Sequence, residues 1–180
     1  MSTLAIRRRA VACPATFTIL LALGGAPAPA AARCSSASAR PAALGAGARH
    51  AAVICEVNRV RRRHGLAPVK ADPRLSRMAR GFARSMVARR FFSHVGPGGS
   101  TLHARLRAAG YHGRAAGEVL AWGQGRLASP RAAVRSWLHS PPHRRVVLGR
   151  YDEIGVGVAD GVPSGGPGTT YAADLGALGG

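Results

Sequence analysis

The sequence predicts an α+β domain in which helices flank a small antiparallel sheet, and three observations carry that expectation. Asp72-Pro73, an N-cap acid followed by a first-turn proline, opens a stretch with Leu75, Met78, Ala79, Phe82 and Met86 on one stripe and Arg77, Arg80 and Arg84 largely off it. Farther on, Ile154, Val156 and Val158 alternate with Gly155, Gly157 and Ala159, giving a strand with one bulky face and one bare face open to close approach. A Gly/Pro loop over 161–168 then leads into a second strand, Thr169 to Leu175.

The remaining elements follow in chain order. Arg7, Arg8 and Arg9 precede an apolar run from Val11 to Leu23, and small residues then dominate to Ala32. A membrane-spanning helix needs about 20 apolar residues, so this stretch reads as a cleaved export signal over residues 1–32 and not as a transmembrane segment. A flexible leader rich in Ser, Ala, Gly and Pro is expected over 33–48, and one folded domain over 49–178. That domain opens with a helix carrying Val53, Val57 and Val60, stopped at Gly65 behind Arg61, Arg62 and Arg63. After the Asp72-Pro73 helix, Val95 to Gly99 must be a loop. Ser100 or Thr101 caps a short helix through Leu106 to Gly110, and Val119 to Trp122 form a buried strand. Ser129-Pro130 and Ser140-Pro141 repeat the cap-plus-proline signature, the first for a helix bearing Val134, Trp137 and Leu138, the second for a short helix containing His143.

Charge and cysteine content narrow the function. The chain has a formal net charge of +19. Without the three arginines of the signal it keeps 23 basic residues against seven acids, a net charge of +16, and Lys70 is its single lysine. Such a protein associates with anionic surfaces in a salt-dependent way. Export and the lack of an aromatic-interleaved basic stripe argue against specific nucleic-acid binding. Cys13 leaves with the signal, and an oxidising compartment favours a disulfide between Cys34 and Cys55, worth roughly 3 kcal/mol through the unfolded state; two free thiols are the alternative. Arg33, where a lipid-anchoring motif needs a small residue, argues for a released, secreted protein, expected to be a monomer.

The chemistry-bearing residues are scattered: Phe92-Ser93-His94, Gly117-Glu118, and Trp137 to Arg144 with Ser140 and His143. Taken alone, His94 could fix its loop through a backbone carbonyl and His143 could be a packing histidine at a helix start. Glu118 precedes an apolar strand, where a buried carboxylate needs a partner, either a metal or an arginine. Trp122 and Trp137 read as core or cleft wall. No Gly-x-Ser-x-Gly elbow or His-Glu-x-x-His pair is present.

Together with Asn58, Arg61, Gly65-Leu66, Asp72-Pro73, Gly110-Tyr111, Ser140-Pro141, His143-Arg144 and Ile154-Gly155-Val156-Gly157, these motifs make residues 51 to 176 resemble a CAP domain. This is the superfamily of cysteine-rich secretory proteins, antigen 5 and pathogenesis-related 1 proteins, here in its bacterial SCP-like extracellular form. The resemblance implies a three-layer α-β-α sandwich and an open cleft to which His94, Glu118, Ser140 and His143 contribute. In some members that cleft holds a divalent metal, which by motif would fall to His94, His143 and Glu118, leaving a position for water on zinc. Ser140 stands where the eukaryotic branch carries a second glutamate, Val119 replaces an asparagine, and Ala172-Ala173-Asp174 replaces polar and aromatic residues. The expectation is a non-enzymatic extracellular binding module, its ligand a lipid or an anionic envelope polymer, with no required cofactor and a divalent metal such as zinc as the candidate one. The alternative is a metal-dependent peptidase or esterase using His94, Glu118 and His143.

Overall fold

The computed structural model describes residues 34–39 and 41–179, so the expected export signal lies outside the described residues. The element order is α1 (Ala46–Arg63), β1 (Lys70–Ala71), α2 (Pro73–Ala88), α3 (Leu102–Ala108), β2 (Ala115–Gly123), α4 (Pro130–His139), α5 (Pro141–Val147), β3 (Glu153–Asp160) and β4 (Thr169–Ala177). The strands form one sheet in the order β1-β3-β4-β2, antiparallel except for the two-residue β1, which runs parallel to β3.

The sheet has two unlike faces, and each takes the layer its side chains permit. On one, Val119, Ala121, Ile154, Val156, Val158, Tyr171, Ala173 and Leu175 pack against Val53, Val57 and Val60 of α1 and Val134 and Trp137 of α4. Fully buried Trp137 donates its indole N–H to the Leu120 carbonyl at 2.9 Å. On the other face, α2 lies directly on the bare side of β3. A Cβ at Gly155 or Gly157 would overlap the backbone of Leu75 or Ala79, so only glycine admits the helix at this depth. Ala79, Phe82, Ala83 and Met86 of α2 meet Leu120, Ala159 and Ala172 there. The result is the α-β-α sandwich that the alternation of Ile154 to Ala159 foreshadows.

The cap residues behave as their chemistry requires: the Asp72 carboxylate accepts from the N–H groups of Arg74 and Leu75 at 2.8 Å, and Thr101 and Ser129 cap α3 and α4. Two residues of the resemblance hold the fold. Asn58 closes a reciprocal pair with Val69, donating to its carbonyl at 2.9 Å and accepting from its N–H at 2.8 Å. Arg61, 2 % exposed, donates to the carbonyls of Ala67, Val147, Gly149 and Tyr151, which satisfies its buried guanidinium and ties α1 to the end of α5.

Cys34 and Cys55 are disulfide-bonded, and Cys34 and Ala37 are buried against Ala52. The segment before the domain has more structure than its composition suggests: Ser35–Ser38 and Pro41–Ala43 form 3-10 turns, and α1 begins at Ala46, inside the stretch read as leader. The bridge supplies the order that Ser, Ala, Gly and Pro alone do not.

Candidate functional site

Glu118 is the centre of the site. It sits on edge strand β2, directly opposite Asp174 of β4, which in turn pairs with Gly155 of β3; all three therefore share the face covered by α2. The Glu118 side chain is 2 % exposed, and both of its oxygens are engaged. Oε2 accepts from Arg105 Nη2 at 2.5 Å. Oε1 lies 2.8 Å from His94 Nδ1, and since a carboxylate only accepts, the imidazole donates from Nδ1 and its Nε2 is left for another partner.

Arg105 comes from α3 and was not singled out by the sequence. Its guanidinium carbon lies over the Phe82 ring of α2, 3.6 Å from the centroid. The other guanidinium nitrogen donates to the carbonyls of His94 at 3.1 Å and Ser100 at 2.7 Å. One side chain therefore pins the 94–100 loop at both ends, a loop further closed by the Gly96–Ser100 bridge, and neutralises the buried carboxylate. His94 is held from behind while its side chain remains 53 % exposed.

His143 approaches from α5, its ring centroid 5.8 Å from that of His94. Burial lowers its pKa, and the neighbouring His94 lowers it further, which favours the neutral imidazole. Ser140 is the N-cap residue of α5, half-buried, and its hydroxyl does not cap the helix. Of the four expected cleft residues, His94, Glu118 and His143 come together, and Ser140 lies three positions before His143.

Behind Glu118, Asp174 is fully buried; no N–H or O–H donor reaches its carboxyl oxygens, and its side chain meets the Glu118 carboxylate, a contact that becomes a hydrogen bond only when Asp174 holds a proton to donate. Burial pushes its pKa well above the ordinary carboxylate range, and Glu118 adds to the shift against the opposing pull of Arg105. The shift favours the protonated form of Asp174 beside Glu118.

This geometry bears on the metal. Two imidazoles, one neutral at ordinary pH and one with Nε2 exposed, suit a borderline cation such as zinc. Glu118, expected as the third ligand, does not: Arg105 and His94 occupy its oxygens, and among the described residues no group of three or more His, Cys, Asp or Glu side chains is placed to hold a metal ion. Its position is that of the carboxylate that fixes a histidine's tautomer and direction.

The other sequence candidates are peripheral. Trp122 is 45 % exposed. His50 is half-buried and its Nδ1 lies 2.8 Å from the Val156 carbonyl, tying α1 to β3.

Comparison with known proteins places this arrangement. The model of the CAP, or cysteine-rich secretory protein, family matches residues 55–170. The chain belongs to the CAP family. Among curated relatives it is similar to the Bacillus subtilis (strain 168) protein YkwD, 30% identical over 109 residues, which is 60% of this chain and 41% of that protein. It is also similar to the membrane protein YlbC of the same organism, 34% identical over 102 residues, 56% of this chain and 29% of that one. The chain thus spans less than half the length of either CAP relative. Among solved structures, an extracellular protein containing a SCP domain from Bacillus anthracis str. Ames superposes with a TM-score of 0.64 at 27% identity, over 73% of this chain and 41% of that one. An outer surface protein of Borrelia burgdorferi shares the fold with a TM-score of 0.62 at 20% identity, over 71% of this chain and 90% of that one. No described helix is long and apolar enough to cross a membrane.

Proposed function

We propose that this CAP protein is a secreted, monomeric, non-enzymatic module that binds an extracellular or envelope ligand through the His94–Glu118–His143 cleft. The observation that carries the reading is the double engagement of Glu118 by Arg105 and His94. A carboxylate paired with a buried arginine is a poor general base and a poor metal ligand, but it is a rigid support for the exposed imidazole of His94. The disulfide between Cys34 and Cys55 and the likeness to an extracellular SCP-domain protein support export.

A divalent cation such as zinc is the candidate bridging group. His94 through Nε2 and His143 would hold it, with Glu118 orienting His94; bound there, zinc would supply a Lewis-acidic site for an anionic or carbonyl group of the ligand. A metal-dependent peptidase or esterase built on the same cleft is the second reading. It is supported by the carboxylate–histidine pair, which resembles the outer-shell support of catalytic zinc ligands.

Calorimetric titration of zinc into chelator-treated protein separates the two readings. The expected result is micromolar binding in the wild type that is lost in His94→Ala and His143→Ala and only weakened, about 10-fold, in Glu118→Gln. Loss in Glu118→Gln as complete as in the histidine variants would make Glu118 a ligand and return the hydrolase reading. Zinc binding indifferent to either histidine would remove the cleft as a metal site.

A further inference from the structure

On the opposite side of the sheet from Glu118, α1 and α4 bound a groove of about 230 Å³ with a different chemistry. Arg59 and Arg63 line it from α1, and Arg131 and Arg135 from α4, each pair at i and i+4 and hence on one helix face. The floor between the rows is apolar, formed by Val60, Val134 and Leu138.

Beneath the arginines lies Glu56, its side chain 1% exposed. Oε2 accepts from Arg59 Nε at 2.7 Å, and Oε1 from Arg131 Nε at 2.9 Å. One buried acid thus fixes an arginine on each wall and cancels one of four charges. Arg63 and Arg135 have no side-chain partner among the described residues and are exposed. The groove keeps an excess of three positive charges, two of them on free guanidinium groups.

We propose that this groove binds a linear, extracellular phosphodiester polymer whose phosphates are joined by saturated carbon links. The planar guanidinium fork matches phosphate oxygens in pairs, and a pair of arginines on each of two facing walls suits repeated charges better than a single anion. The apolar floor accommodates the carbon links, and apart from the His64 imidazole at its end no Phe, Tyr or Trp lines the groove to stack a nucleobase. The inference rests on the reading of a secreted binding module and gives its anionic polymer a face of its own, independent of the cleft.

The test is titration of the folded chain with fluorescently labelled poly(glycerol phosphate) over a range of salt. Arg63→Gln/Arg135→Gln leaves the Glu56 network intact and is expected to weaken binding about 10-fold or more, lowering the slope of log affinity against log salt by about one to two. Arg84→Gln/Arg145→Gln removes the same charge from exposed sites outside the groove and is expected to change affinity by less than about twofold. Arg63→Lys/Arg135→Lys, which keeps charge and loses the fork, should fall between them.

Equal losses in the two glutamine pairs would reduce the binding to diffuse charge and overturn the groove. Polyglutamate bound as tightly as the phosphate polymer would overturn the phosphate assignment. Phosphatidylglycerol vesicles captured through Arg63 and Arg135 while the polymer is not would make the face a membrane contact instead. Polymer binding lost in His94→Ala and His143→Ala, but kept in the groove variant, would move the polymer to the cleft and leave the cleft reading standing.

Discussion

Two buried glutamates, one on each side of the sheet, each accept from two side chains, yet they build opposite kinds of surface. Glu56 lies between Arg59 and Arg131, whose side chains are 26% and 43% exposed, so water shares in solvating the network. Glu118 lies between Arg105, 10% exposed, and His94, with a protonated Asp174 behind it. In the groove the acid fixes two permanent charges and leaves an excess of positive charge above them. In the cleft the acid is neutralised by one enclosed arginine, and what reaches solvent is a pair of imidazoles. The same device therefore yields a permanently cationic surface in the groove and a pair of imidazoles in the cleft.

If enclosure is what separates the two networks, removing one arginine from each must have unequal costs. Arg105→Gln leaves the buried Glu118 carboxylate without its arginine and frees the 94–100 loop, and should destabilise the protein by about 3 kcal/mol. Arg131→Gln leaves Glu56 with Arg59 and water, and should cost less than about 1 kcal/mol. Urea unfolding of the two variants measures both, and equal costs would mean that enclosure is not the difference.

Asp174 provides the next contrast, since it sets a second acid behind Glu118. Its folded pKa is raised, so between the unfolded value near 4 and that raised value the folded state holds a proton that the unfolded state has released. Stability attributable to Asp174 is present at low pH and declines as pH rises through this window. Asp174→Asn keeps a donor facing Glu118 but does not titrate. The variant should therefore gain on the wild type as pH rises from 4 to 7, measured as the difference in urea midpoints. A difference that stays flat or runs the other way would mean that Asp174 is ionised in the folded protein.

How much of this could be read beforehand follows from the range of each interaction. The helices opened by Asp72-Pro73, Ser129-Pro130 and Ser140-Pro141 are local chemistry, and the cap and proline lie in adjacent positions. The bare face of β3 is also local, because Gly155 and Gly157 sit on alternate positions and imply a close neighbour. The meeting of His94, Glu118 and His143 was accessible only through family motifs, since 49 residues separate the first from the last. That an arginine could satisfy Glu118 was foreseeable from the excess of basic residues. That it would be Arg105 was not, because its selection depends on where α3 docks and on the Phe82 ring beneath it. The paired rows of the groove were hidden for a related reason: Arg59 and Arg63 show helical spacing, but their partners on α4 become neighbours only when both helices pack on the sheet.

The smallest effect concerns the imidazole pair itself. His143 has its pKa lowered first by burial and then by repulsion from His94, so replacing His94 removes only the second cause. In a pH titration followed by the His143 ring resonances, the wild type should titrate below the ordinary histidine value of about 6.5. His94→Ala should move that midpoint upward without restoring it. A depressed histidine pKa means that the unfolded chain takes up the proton first, so the associated stability is present above pH 6.5 and is lost as pH falls toward the folded value. Full restoration in His94→Ala would show that the two rings are coupled by charge alone and that α5 leaves His143 open to water. No movement would show that the rings do not sense each other, and a cation shared between them would then lose its physical basis.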